Sequence, residues 1–182
     1  MMAPQPKRSE GAVDVTRETP RAGTCQECGF DWTMRVEDAI RIVVGAPGRI
    51  AGLFDVALPR PAPAGDAGRW SPVSYVWHLV DVLRFGTERL WTLTLEPGAG
   101  LPGWDQDVLA ALRRYDELSR DVGLRALDAA VAVWTEAARA APSAATVRHP
   151  VLGELTTADA VRRNAHEAVH HELDIRRGLA GT

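Results

Sequence analysis

His166 and His170 stand four residues apart in the stretch Asn164-Ala-His-Glu-Ala-Val-His-His-Glu-Leu-Asp174, which reads as helix. On a helix, positions i and i+4 lie one above the other, so two imidazoles there can share one ion. A third histidine, His78, lies far upstream in another helical segment. Three neutral nitrogens from two helices make the donor set of an open, catalytic-type metal site. His78, His166 and His170 are therefore one candidate ligand set. A rival frame runs through the same helix: Glu167 and His171 are also four apart, on a face turned by about 100°, and the apolar positions Val161, Ala165, Ala168 and Leu179 fall between the two frames. The blander reading treats the pair as solvated and His78 as a core residue.

An ion held by three imidazoles keeps its full +2 charge, which attracts anions and stabilises a thiolate or hydroxide in the open position. Zn²⁺, Ni²⁺ and Fe²⁺ all suit such donors. Asp81, Glu167 and Asp174 are candidates to orient an imidazole through its second nitrogen. No residue stands out as acid, base or nucleophile, so catalytic residues stay unassigned.

Cys25-Gln-Glu-Cys28 has the spacing of half a zinc site, but no second cysteine pair exists. A tight turn that docks Phe30 and Trp32 is the first reading of this thiol pair. A metal half-site, with His149 as one candidate to complete it, is the second, and a redox couple the third.

These residues need elements to hold them. Val36 to Val56 carries apolar residues at three- and four-residue steps, with a kink or break expected at Gly45-Ala-Pro47-Gly48. Ser71 and Pro72 open a second helix, as N-cap and first helical residue, that runs to about Leu95 and is apolar on both sides. Asp105 to Leu118 and Asp121 to Ala141 read as a third and a fourth helix, followed by a short extended excursion around Gly153. Thr156 and Asp159 form a capping box for the histidine-bearing helix, which should end near Gly178. The expected fold is all-α, a four- or five-helix bundle with ligand-type residues on facing helices. Trp77, Trp91 and Trp134 read as core packing, whereas Trp104, at a loop end, is placed to line a pocket.

The chain has 182 residues and a net charge of −3. That length fits one domain: a flexible tail over 1–24, then a helical bundle over 25–180 whose entry segment is 25–32. The proline-rich stretch 59–68 reads as an extended surface crossing. The charge argues against nucleic acid as a partner. No run is apolar enough to span a membrane, and residues 1–24 lack a hydrophobic signal core, so a cytoplasmic location is expected.

Three stretches resemble the DinB/YfiT-like family of four-helix metalloproteins. Trp70-Ser71-Pro72 followed by His78 is similar to the family's opening of helix two, with its ligand histidine one to two turns in. His166-Glu-Ala-Val-His170 is similar to the His-x-x-x-His pair of its last helix, which implies His78, His166 and His170 as the ligands rather than the Glu167/His171 frame, and the excursion around Gly153 also fits. Related mycothiol-dependent maleylpyruvate isomerases use a Glu-x-x-x-His pair there instead. The family's pair is commonly followed by a Gly-Gln step, and this chain reads His171-Glu-Leu-Asp174. The resemblance implies a four-helix bundle that binds a divalent metal, with a small-molecule substrate and a low-molecular-weight thiol such as mycothiol, and it allows a homodimer. The implied activity is a thiol-dependent S-transferase or isomerase, with hydrolysis as the nearest variant. The competing reading is a non-catalytic helical module whose metal site is structural or empty, its Cys-x-x-Cys segment serving redox or partner contact.

Overall fold

A computed structural model describes residues 22–56 and 70–180. The tail expected over 1–24 lies outside the described residues save for its last three, and so does the crossing over 59–68. The elements are α1 (Val36–Val56), α2 (Pro72–Leu95), α3 (Gln106–Arg113), a 3₁₀ turn at Tyr115–Glu117, α4 (Arg120–Ala140), the strands β1 (Thr146–His149) and β2 (Gly153–Thr156), and α5 (Thr157–Ala180). The four long helices form the bundle: α2 lies against α4 and α5, and α1 against α5 and α4. No described helix is long and apolar enough to cross a membrane.

Local chemistry explains most boundaries. Ser71 caps α2 by accepting the Ser74 N–H, with Pro72 in the first turn as expected. Asp105 caps α3 through the N–H groups of Asp107 and Val108. Arg114, at φ 54°, stops α3 in the left-handed region, so the third helix is shorter than its hydrophobic pattern suggests. The excursion around Gly153 is an antiparallel hairpin in which Val147 pairs with Leu155 and His149 with Gly153. Thr156 and Asp159 form the reciprocal capping box: Asp159 Oδ2 accepts the Thr156 N–H at 3.0 Å, and the Asp159 N–H donates to Thr156 Oγ1 at 3.1 Å.

Of the kink or break expected at Pro47, the break does not occur, and α1 is one continuous helix. Ala46, Pro47 and Ile50 are buried in the core, and Arg49 reaches both the Ile42 carbonyl and Glu172 of α5. This packing holds the helix through the missing N–H. Trp91 is 47 % exposed, unlike Trp77 and Trp134, which are core. Its position on α2 falls outside the arc covered by α4 and α5.

The α2–α5 contact is tight at one point. Asn164 accepts the Trp134 indole N–H at 2.9 Å within the core, and its amide occupies the space that a Cβ on Gly86 would need. Only glycine at 86 lets the two helices meet here.

Candidate metal centres

The expected histidine set divides. His78 groups with Glu167 and His171, whereas His166 and His170 group with Cys25 and Cys28. Both faces of α5 therefore carry metal-type donors, and the 100° between adjacent residues sends them to different partners.

His78 sits in the second turn of α2 with 1 % exposure. Its Nε2 lies 4.0 Å from Glu167 Oε2, and its ring centroid lies 4.8 Å from that of His171. Trp70 and Trp104 flank the ring, at 4.8 and 5.8 Å. Both of its nitrogens are buried without a hydrogen-bond partner among the described residues. Leaving such a group unsatisfied costs about 1–3 kcal/mol, and a cation beside Nε2 would remove part of that cost. Burial, then the charge of His171, pushes the His78 pKa down to about 3, so the ring is neutral with a lone pair to give.

His171 is oriented from both ends. Its Nδ1 is 3.0 Å from Asp174 Oδ2 and its Nε2 is 3.1 Å from Glu167 Oε2. Burial lowers its pKa, but the two carboxylates outweigh this and lift it to about 9. Burial would likewise raise the Glu167 carboxyl, yet His166 and His171 hold it well below the usual carboxylate range. A divalent ion placed among Glu167, His171 and His78 would take the position that the His171 proton holds. The donor set fits a metal: two imidazoles, one carboxylate, and Asp174 fixing a tautomer.

His78 and Glu167 line one wall of a cavity of about 430 Å³, the size of an ordinary small-molecule site. Arg89, Arg163, His149 and Trp104 also line it, so Trp104 does border a pocket. Burial lowers the pKa of both arginines. His149 accepts the N–H groups of Val151 and Leu152 on Nδ1, each at 3.2 Å. Burial and the charges of Arg89 and Arg163 bring its pKa down to about 4. Its proton must then sit on Nε2, which lies 3.4 Å from Arg89 Nη2. Arginine has no acceptor, so two donors converge here.

Asp81 does not orient His78. It is buried and bonded to the Tyr115 hydroxyl and to Arg113, because α2 turns it toward the α3–α4 connection. His149 does not complete a site with the cysteines either, since the hairpin carries it to Arg89.

On the face turned by about 100°, Phe30 and Trp32 are buried and their rings lie against His166, at 5.5 and 4.6 Å. This is the docking turn read from the sequence. Cys25 and Cys28 are free thiols beside His166 and His170. Burial raises Cys25, but the Cys28 N–H and His166 outweigh it and bring its pKa to about 6. Burial and the neighbouring Cys25 push Cys28 up to about 11. One thiol of the pair therefore ionises at neutral pH, and the second resists until a cation offsets the charge.

The fold agrees with known proteins. The family model of the DinB superfamily matches residues 19–175, and the chain belongs to that superfamily. Among solved structures it resembles YfiT from Bacillus subtilis, reported as a probable metal-dependent hydrolase with an unusual four-helix bundle topology. The TM-score is 0.70 and the identity 18 %, over 87 % of this chain and 90 % of that one. No curated protein matches the chain by sequence.

Proposed function

We propose that the protein is a metal-dependent enzyme whose divalent ion is held by His78, Glu167 and His171, and that it acts on an anionic small molecule with a low-molecular-weight thiol as cosubstrate, as an S-transferase or isomerase. The observation that carries the reading is His78: a buried, neutral imidazole on the wall of a cavity, without a hydrogen-bond partner among the described residues and grouped with Glu167 and His171. This site replaces the set expected from sequence by exchanging His166 and His170 for the neighbouring frame.

The bound ion would supply an open Lewis-acid position that makes a coordinated thiol or water more acidic. The chain's own residues do the rest. Asp174 keeps the His171 proton on Nδ1, leaving Nε2 as the donor. Glu167 adds one negative charge, so the ion retains about +1 rather than the +2 left by a neutral triad. Trp70 and Trp104 keep water from the His78 ring. Arg89, Arg163 and the Nε2–H of His149 favour an anionic group on the substrate, since the convergent donors of Arg89 and His149 need an acceptor between them. The Glu-x-x-x-His pair supports the thiol reading through its likeness to the mycothiol-dependent maleylpyruvate isomerases. Hydrolysis, the activity attributed to YfiT, is the alternative for the same site.

Cobalt substitution tests this. In a Cys25→Ser/Cys28→Ser variant, which has no thiol of its own, added mycothiol or cysteine should raise a thiolate-to-cobalt band in the near ultraviolet. The band should be absent when His171→Ala is added. Cobalt bound at the site with no response to any thiol would replace thiol transfer by hydrolysis.

A further inference from the structure

We propose that Cys25, Cys28, His166 and His170 form a second metal centre, a closed Cys₂His₂ zinc site that clamps the N-terminal segment to α5. It is separate from the cavity site and does not depend on the reading of that site.

The local backbone is built for it. The Gly29 N–H donates to the Cys25 carbonyl at 2.9 Å, and the Cys25 N–H donates to the Phe30 carbonyl at 2.8 Å. Gly29 takes φ +73°, a conformation that glycine adopts at little cost. The chain thus doubles back after Cys28, and Thr24 bridges Asp31 across the turn. This geometry turns both sulfurs toward α5, in the two-residue spacing common to structural zinc sites.

The two histidines meet them. One donor atom from each of the four residues lies within 4.8 Å of all the others. A tetrahedral zinc shell, with bonds of about 2.3 Å to sulfur and 2.0–2.1 Å to nitrogen, has edges of about 3.3–3.8 Å. Small side-chain rotations close the difference. The orphaned atoms identify the donors: His166 Nε2 and His170 Nδ1 are buried and without a hydrogen-bond partner among the described residues. The other nitrogens face carboxylates, His166 Nδ1 at 3.9 Å from Glu167 Oε1 and His170 Nε2 at 3.6 Å from Glu27 Oε2. Ligand histidines usually present their second nitrogen in this way.

Charge and coordination both mark the site as structural. Two thiolates and two neutral imidazoles offset the +2 ion in full and fill four positions, leaving none for substrate. The two cysteines, adjacent to one another, can then both be thiolates.

The test uses the full chain carrying His78→Ala and His171→Ala, which removes the cavity site. Isolated without added metal, it should retain about one zinc per chain. X-ray absorption should find sulfur at about 2.3 Å and nitrogen at about 2.0–2.1 Å in equal numbers. Adding Cys25→Ser and Cys28→Ser should remove that zinc. In the unsubstituted protein, the thiols should resist a thiol-reactive dye until a strong chelator is added, a readout that survives any folding failure of the variants. A shell of nitrogen and oxygen alone, thiols that react fully without chelator, or a Cys25–Cys28 disulfide in zinc-free protein would each overturn the proposal. Loss of cavity metal alone would instead bear on the proposed function.

Discussion

His171 Nδ1 lies 3.0 Å from Asp174 Oδ2, and this contact decides what the other ring nitrogen can do. With the Nδ1 proton committed to Asp174, Nε2 is left to face Glu167 and the ring of His78. Asp174→Ala should therefore weaken divalent-metal binding at the cavity site by about 10–100-fold. A competition titration against a chelating dye, in the Cys25→Ser/Cys28→Ser background, measures it. Circular dichroism should show the helices intact.

The two faces of α5 should respond separately. His171→Ala should lower the metal content by the cavity ion and leave the cysteines protected. His166→Ala should expose the cysteines to alkylation and leave the cavity ion bound. Elemental analysis paired with thiol counting separates the two. If His166→Ala emptied the cavity site while His171→Ala left both thiols and metal unchanged, the division of the histidines would be wrong.

Substrate affinity should depend on Arg89, the half-buried arginine beside His149. Arg89→Gln should raise KM for an anionic substrate, or Kd for an anionic inhibitor, by about tenfold or more, since it removes a charge-assisted hydrogen bond worth about 1.5–3 kcal/mol. Metal content should not change. Equal affinity in the variant would place the anion elsewhere.

Gly86→Ala should destabilise the bundle by about 1–3 kcal/mol, because its Cβ would enter the space of the Asn164 amide. The shift would also disturb the Asn164–Trp134 bond. Chemical denaturation followed by tryptophan fluorescence measures the loss.

Asp81→Ala should act on stability and not on metal. It strips the Tyr115 hydroxyl and Arg113 of their shared acceptor, a loss of about 1–3 kcal/mol for the groups left unsatisfied. Unchanged metal binding would separate Asp81 from the His78 site.

Much of this molecule could be read from residue order, because caps and periodicity are local. Ser71-Pro72, Thr156 with Asp159, and the apolar stripe of α1 placed their helices within a residue or two. Pro47 signalled a kink or break, and the burial that keeps α1 unbroken there is a tertiary effect. The site was legible as a set of donors and not as an arrangement. His166/His170 and Glu167/His171 flank the same apolar centre, so the helix alone gives no reason to send either frame to His78. Cys25-x-x-Cys28 carried the missing signal: a two-cysteine half-site needs two more donors, and the adjacent histidine pair has that number. Nothing local showed that the N-terminal turn packs on α5. Asp81, one turn from His78 in sequence, was drawn away by Tyr115 and Arg113, which only the α3–α4 connection brings near.

The most direct test of the central claim is a crystal structure of the zinc-loaded protein with anomalous diffraction collected on both sides of the zinc edge. The account predicts a peak about 2.0–2.2 Å from His78 Nε2, a Glu167 carboxylate oxygen and His171 Nε2. A peak joining His78 to His166 or His170, or no peak beside His78 in protein that retains zinc, would contradict it.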